Sequence, residues 1–122
     1  GRSMSDLKRA LPRTWSTPTM APYCPDEEKY AVSDRLTARL VAMAEAGGRI
    51  GPLEIERVVT VNGARVMLRG GSWALVRASS NTPNLVVVCE STQSEAELRA
   101  IFQGIDAVIC TETSVGDYDQ TF

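Results

Sequence analysis

The sequence predicts an α+β domain, a four-stranded antiparallel sheet with two helices packed on one face. Two stretches carry apolar residues at helical spacing, and between them lies a block of about forty residues whose period drops to two. Within that block, Asn62-Gly63 and Gly70-Gly71 stand where hairpin turns are needed. At 122 residues and 43% hydrophobic content, the chain can bury one real core and is too short for two.

In chain order, Gly1, Arg2 and Ser3 ahead of Met4 read as a vector-derived remnant. Residues 5–11 suit a short helix capped by Ser5 and halted by Pro12. Residues 13–25 carry Pro18, Pro22 and Pro25, so they read as an irregular linker or hinge with room for one short edge strand at residues 19–23. The domain proper spans residues 26–110, and a polar tail, expected to be disordered, fills residues 111–122.

Asp26 is placed to cap the first main helix, with Glu27 and Glu28 in a first turn that the helix dipole favours. Val32, Leu36, Leu40 and Met43 form its apolar stripe, and Gly47-Gly48 should end it. Four strands follow at residues 55–61, 64–69, 72–78 and 85–90. Ser94 and Glu97 make a capping box for the second helix, whose buried stripe is Leu98, Ile101, Phe102, Ile105 and Val108 or Ile109.

Thirteen Lys and Arg against fifteen Asp and Glu leave a net charge of −2, which disfavours nucleic acid as a partner. The absence of a long apolar run and of a signal core points away from membranes and toward a cytoplasmic chain. Cys24, Cys89 and Cys110 are odd in number and form no CxxC pair, against both a disulfide framework and a zinc site. Cys89, inside an apolar strand, reads as a small core residue. With no histidine in the chain, Ser-His-Asp and Cys-His catalysis are excluded.

The chemistry concentrates in one turn, Arg77-Ala78-Ser79-Ser80-Asn81-Thr82-Pro83-Asn84, which lacks the usual hairpin glycine. A phosphate needs a charged fork and several neutral donors around it, and arginine, serine, asparagine and threonine supply that set. Residue types alone leave a second possibility open. The hydroxyls and amide could satisfy only their own backbone while Arg77 pairs with a carboxylate.

The string from Gly71 through Ser79, with Pro83 and the run Leu85-Val86-Val87-Val88, resembles the C-terminal domain of the α-D-phosphohexomutases, nearest to the phosphomannomutase/phosphoglucomutase group. The likeness extends upstream through Leu11-Pro12, Ser16-Thr17-Pro18 and Cys24-Pro25-Asp26-Glu27-Glu28-Lys29-Tyr30-Ala31-Val32 and downstream to the helix containing Leu98, so it covers nearly the whole chain. The family's loop reads Arg-x-Ser-Asn/Gly-Thr-x-Pro. Arg77, Ser79 and Pro83 fall on it directly, whereas Ser80 stands at the Asn/Gly position and Asn81 at the threonine position, with Thr82 one place late.

This resemblance implies a TATA-box-binding-protein-like topology and a role in holding the non-reacting phosphate of a hexose phosphate. Arg77, Ser79, Ser80, Asn81 and Thr82 would form the phosphate-binding set, with Asn81 and Thr82 competing for one donor role. It also implies magnesium in the full-length enzyme, none in this fragment, and the remaining mutase domains as partners. The chain contains no Ser-His-Asn-Pro nucleophile loop, no Asp-Gly-Asp metal loop and no Gly-Glu-x-Ser-Gly sugar loop, so in isolation it is expected to be inactive. Gly116-Asp117-Tyr118-Asp119 resembles an acidic metal run but reads as a solvated terminus. A stand-alone ligand- or protein-binding module of the same fold is the alternative.

Overall fold

The structure, a computed structural model, describes residues 14–60 and 63–118. The short helix expected at residues 5–11, Asn62 of the hairpin signal and Asp119 of the acidic run lie outside the described residues. Among the described residues there are six strands, β1 (Trp15–Ser16), β2 (Arg49–Ile50), β3 (Leu53–Val59), β4 (Ala64–Leu68), β5 (Trp73–Ala78) and β6 (Leu85–Ser91). Two helices among the described residues, α1 (Lys29–Glu45) and α2 (Glu95–Ile109), join them in an α+β domain. The sheet order is β1-β6-β5-β4-β3-β2 and every neighbouring pair is antiparallel.

The expected four-strand meander is therefore its central part, β3 to β6, and the sheet has six strands rather than four. The two additions, β1 and β2, are each two residues long, too short for a period of two to show in sequence. The edge strand expected at residues 19–23 lies earlier, at Trp15–Ser16. Beyond it, Met20 and Tyr23 still make single bridges to Val87 and Asn84.

Alternation then decides the layers. Ala64, Val66 and Leu68 of β4, Ala74 and Val76 of β5, and Leu85, Val87 and Cys89 of β6 all turn to one buried face. Val32, Leu36 and Leu40 of α1 and Leu98, Ile101, Ile105 and Ile109 of α2 join them in a single core. A fully buried side chain of this size contributes about 1.5–3 kcal/mol, which outweighs any single cap or surface ion pair.

The helix ends show which local signals operate. At the end of α1, Gly47 takes a φ of 73°, its N–H donates to the Ala44 carbonyl at 3.1 Å, and the Gly48 N–H donates to the Met43 carbonyl at 2.7 Å. This double closure needs a left-handed residue, which glycine adopts at little cost. The start of α1 differs from expectation, because Asp26 does not cap it. Residues 25–28 form a turn in which the Glu28 and Lys29 N–H groups both donate to the Pro25 carbonyl, and the Asp26 carboxylate pairs with the Lys29 ammonium at 2.9 Å instead. No acidic residue occupies the helix's first turn. At α2, the Ser94 hydroxyl accepts from the Glu97 N–H at 3.0 Å, but the Glu97 carboxylate does not return to Ser94. It accepts instead from the hydroxyls of Ser91 and Ser72, at 2.5 and 3.1 Å, so only half of the capping box forms.

The tail is packed over its described part, contrary to the disorder expected of it. Gly116 N–H donates to the Tyr23 carbonyl at 2.7 Å and Tyr23 N–H to the Asp117 carbonyl at 2.9 Å. The Tyr118 hydroxyl donates to Asp106 at 2.7 Å while its ring meets Phe102 edge-on, 5.6 Å between centroids. Glu112 receives two bonds from the Arg35 guanidinium, at 2.6 and 3.0 Å. The polar composition that suggested a loose end instead supplies these contacts.

Cys89 is a core residue as expected, with no exposed surface, and burial pushes its thiol up to about 12 from an ordinary 9.0. Between those values the unfolded chain has released the proton that the folded chain retains, so rising pH removes stability. Denaturant unfolding followed from pH 8 to pH 11 should show stability falling above pH 9, by up to about 1.4 kcal/mol per pH unit from this thiol. Cys89→Ala should reduce that slope, the remainder coming from Cys24, Cys110 and Tyr118, which burial also shifts upward, and an equal slope in both chains would show that the Cys89 thiol is not a source.

Candidate functional site

The site grows from the register of one hairpin. Ala78 of β5 pairs with Leu85 of β6, so residues 79–84 form a six-residue connection whose ends are held side by side. Ser79 N–H donates to the Asn84 carbonyl at 2.9 Å, and Asn84 N–H donates to the Thr82 carbonyl at 2.8 Å. These two bonds close the loop on itself without glycine.

Its C-terminal limb is fastened from outside by the segment that precedes α1. Cys24 N–H donates to the Pro83 carbonyl at 2.8 Å, Leu85 N–H to the Pro22 carbonyl at 2.9 Å, and the Asn84 side-chain amide to the Ala21 carbonyl at 2.9 Å. The Lys29 ammonium donates to the Thr82 carbonyl at 2.9 Å. Lysine at this position is 4% exposed, in a helix whose other buried positions are Val32, Ser33, Leu36 and Leu40. Sequence reasoning missed Lys29, although the signal existed, since it continues the apolar stripe backward at a spacing of three from Val32.

The five candidate side chains separate into two groups. Arg77 and Ser80 line an open cavity of about 500 Å³, together with Tyr30, Ser33 and Asp34 of α1, Gly63 and Ala78. That size lies within the range of small-ligand sites. Ser79, Asn81 and Thr82 are outside its walls. The Ser79 hydroxyl accepts from the Thr82 hydroxyl at 2.9 Å and from the Asn81 N–H at 3.4 Å, while Asn81 and Thr82 are exposed. The turn thus uses part of its own polar set to shape itself.

Arg77 behaves otherwise. Its guanidinium donates to the neighbouring Ala78 carbonyl at 3.3 Å, and among the described residues no ion pair involves it. A charged fork beside a cavity, without a carboxylate to neutralise it, is available to an anion. Gly63 lies directly against it. A Cβ built on Gly63 would stand 2.5 Å from both the Val76 carbonyl oxygen and the Arg77 Cβ, at a φ of 110°. Asn62-Gly63 was legible as a turn signal, but a single sequence does not reveal which other strand the turn touches.

Chemically, the cavity is offered the Arg77 fork and the Ser80 hydroxyl on one side and the Asp34 carboxylate on α1. Among the described residues, no three His, Cys, Asp or Glu side chains cluster to hold a metal ion. No described helix is long and apolar enough to cross a membrane.

Comparison with known proteins fits this geometry. The chain is 36% identical over 100 residues to a phosphomannomutase/phosphoglucomutase of Pseudomonas putida, covering 82% of this chain and 19% of that protein. It is 35% identical over 88 residues to a phosphopentomutase of Thermococcus kodakarensis, covering 72% of this chain and 18% of that protein. A solved phosphoglucomutase/phosphomannomutase family protein of Burkholderia thailandensis shares the fold, with a TM-score of 0.57 over 91% of this chain, 20% of its own length and 24% identity. The chain spans about a fifth of the length of these relatives. The family model for the phosphoglucomutase/phosphomannomutase C-terminal domain matches residues 24–108, from Cys24 ahead of α1 through the loop to Val108 of α2, and the chain belongs to that family.

Proposed function

We propose that residues 77–82 bind the non-reacting phosphate of a hexose phosphate, within a longer phosphomannomutase/phosphoglucomutase whose other domains carry the reaction. The observation that carries this is the state of the loop's donors. Arg77 has no carboxylate partner among the described residues. The Ser79 hydroxyl accepts two hydrogen bonds, so its single O–H proton is left to donate. A hydroxyl that already accepts is a better donor, because the bonds polarise one another. Ser80 adds a hydroxyl on the cavity side.

The same bonds bear on the competition between Asn81 and Thr82. The Thr82 hydroxyl is committed to Ser79, which leaves the exposed Asn81 side chain as the free donor. Asp34 across the cavity would repel a bare phosphate but would accept from the hydroxyls of a sugar, favouring a sugar phosphate over inorganic phosphate.

Magnitudes limit what this chain does alone. Three hydrogen bonds to a charged group give about 5 to 9 kcal/mol, and association removes at least about 4, leaving roughly millimolar affinity or weaker. In the intact mutase the contacts would serve alignment of the opposite end of the sugar, where remote binding energy becomes rate. Among the described residues no three His, Cys, Asp or Glu side chains cluster to hold a metal ion, and the magnesium expected of the whole enzyme would be held by another domain. The strap at residues 20–24 is bonded to β6 and to the loop, so this part of the proline-containing segment moves with the domain.

An NMR titration with glucose 1,6-bisphosphate should shift the amides of residues 77–84, and unphosphorylated glucose should not. Arg77→Ala should weaken the response at least about tenfold, the loss expected for hydrogen bonds to a charged group. Equal responses to the two sugars would sink the assignment. Asn81→Ala should weaken binding more than Thr82→Val, and the opposite order would give the donor role to Thr82. Gly63→Ala should displace the amides of residues 76–78 and lower affinity several-fold, because the added methyl meets backbone on Val76 and Arg77.

A further inference from the structure

We propose that Lys29 is a positioning residue for the phosphate loop: its buried ammonium fixes the Thr82 peptide and, through it, the Ser79 hydroxyl. This rests on the phosphate reading above and adds a residue outside the loop.

A lysine that is 4% exposed needs partners, because an unpaired buried ammonium is costly. Lys29 has two at close range, the Thr82 carbonyl and the Asp26 carboxylate, both at 2.9 Å, with the Tyr30 ring 5.3 Å from its nitrogen. Asp26 is 67% exposed and could pair with a lysine that stayed in solvent. The contact that requires the ammonium to be inside is the one to Thr82.

That carbonyl also accepts from the Asn84 N–H at 2.8 Å, so two donors from different directions set the Thr82 peptide plane. Thr82 in turn donates its hydroxyl to Ser79 at 2.9 Å, the bond that leaves the Ser79 proton to point outward. Lys29 therefore acts on the ligand through Thr82 and Ser79, and the first residue of α1 and the loop are held at one spacing.

Lys29→Met keeps the aliphatic stem and removes the ammonium. In that chain, with core sheet amides protected as in the parent, the Ser79 and Asn84 amides should exchange about tenfold faster, and affinity for glucose 1,6-bisphosphate should fall by a similar factor, the size of one charged hydrogen bond. Asp26→Asn, which leaves the bond to Thr82, should change neither. In the unaltered chain the Lys29 ammonium resonance should shift on adding the bisphosphate, and this arm stands even where Lys29→Met fails to fold. Loop amides exchanging at the parental rate in Lys29→Met overturn the proposal, as does a loosened loop with undiminished affinity, or an ammonium resonance that ignores the ligand. An Arg77→Ala chain that binds as tightly as the parent sinks the phosphate reading instead, and loop exchange in Lys29→Met then still decides whether Lys29 holds the loop.

Discussion

The register of β5 against β6 is the constraint on which the rest depends. Ala74, Val76, Leu85, Val87 and Cys89 must all face the helices, and a slip of one residue would turn the buried set of one strand outward, Ala74 and Val76 or Leu85, Val87 and Cys89. With that register fixed, Ala78 faces Leu85 and the loop has six residues in which to return. The position of Arg77 at the strand end, beside a cavity, is thus set by core residues that never touch a ligand. The apolar cost of a slip far exceeds anything six polar residues could recover.

Upon that frame the loop is held asymmetrically. Its later half is bonded by Cys24, Lys29, Pro22 and Ala21, all from the strap and the start of α1, whereas its earlier half holds the groups with spare capacity. An anion site benefits from this division, since donors that are already oriented lose little freedom on binding. The cavity gains its second wall from α1, whose Tyr30, Ser33 and Asp34 stand opposite Arg77. One helix therefore both fastens the loop and faces its ligand.

Much of the fold was legible because its signals are local. The stripes of both helices, the glycine closure at Gly47-Gly48 and the central four strands each declare themselves within a dozen or so neighbouring residues. What escaped depends on which of several possible partners a group takes in the folded chain. Asp26 has the chemistry of a cap but pairs with Lys29. Glu97 has that of a capping-box partner but is drawn to Ser72 and Ser91 on adjoining strands. The tail looked solvated because its polar groups answer Tyr23 and Arg35, which the sequence places far away, and Asp106 on the facing helix. Of the site, the loop's residue types were readable, while Lys29 and the contact of Gly63 with Arg77 required the tertiary arrangement.

The reciprocal bonds between Tyr23 and residues 116 and 117 carry a consequence for biosynthesis. Tyr23 belongs to the strap that fastens the loop, and its partners are made nearly a hundred residues later. A nascent chain can lay β5 beside β6 early, but the strap gains its outer neighbour only once residue 117 has left the ribosome. Until then the strap is an edge with open hydrogen-bonding groups, exposed to pairing with a neighbouring chain. Once residues 116 and 117 are in place, the Tyr23 N–H and carbonyl are both paired within the chain.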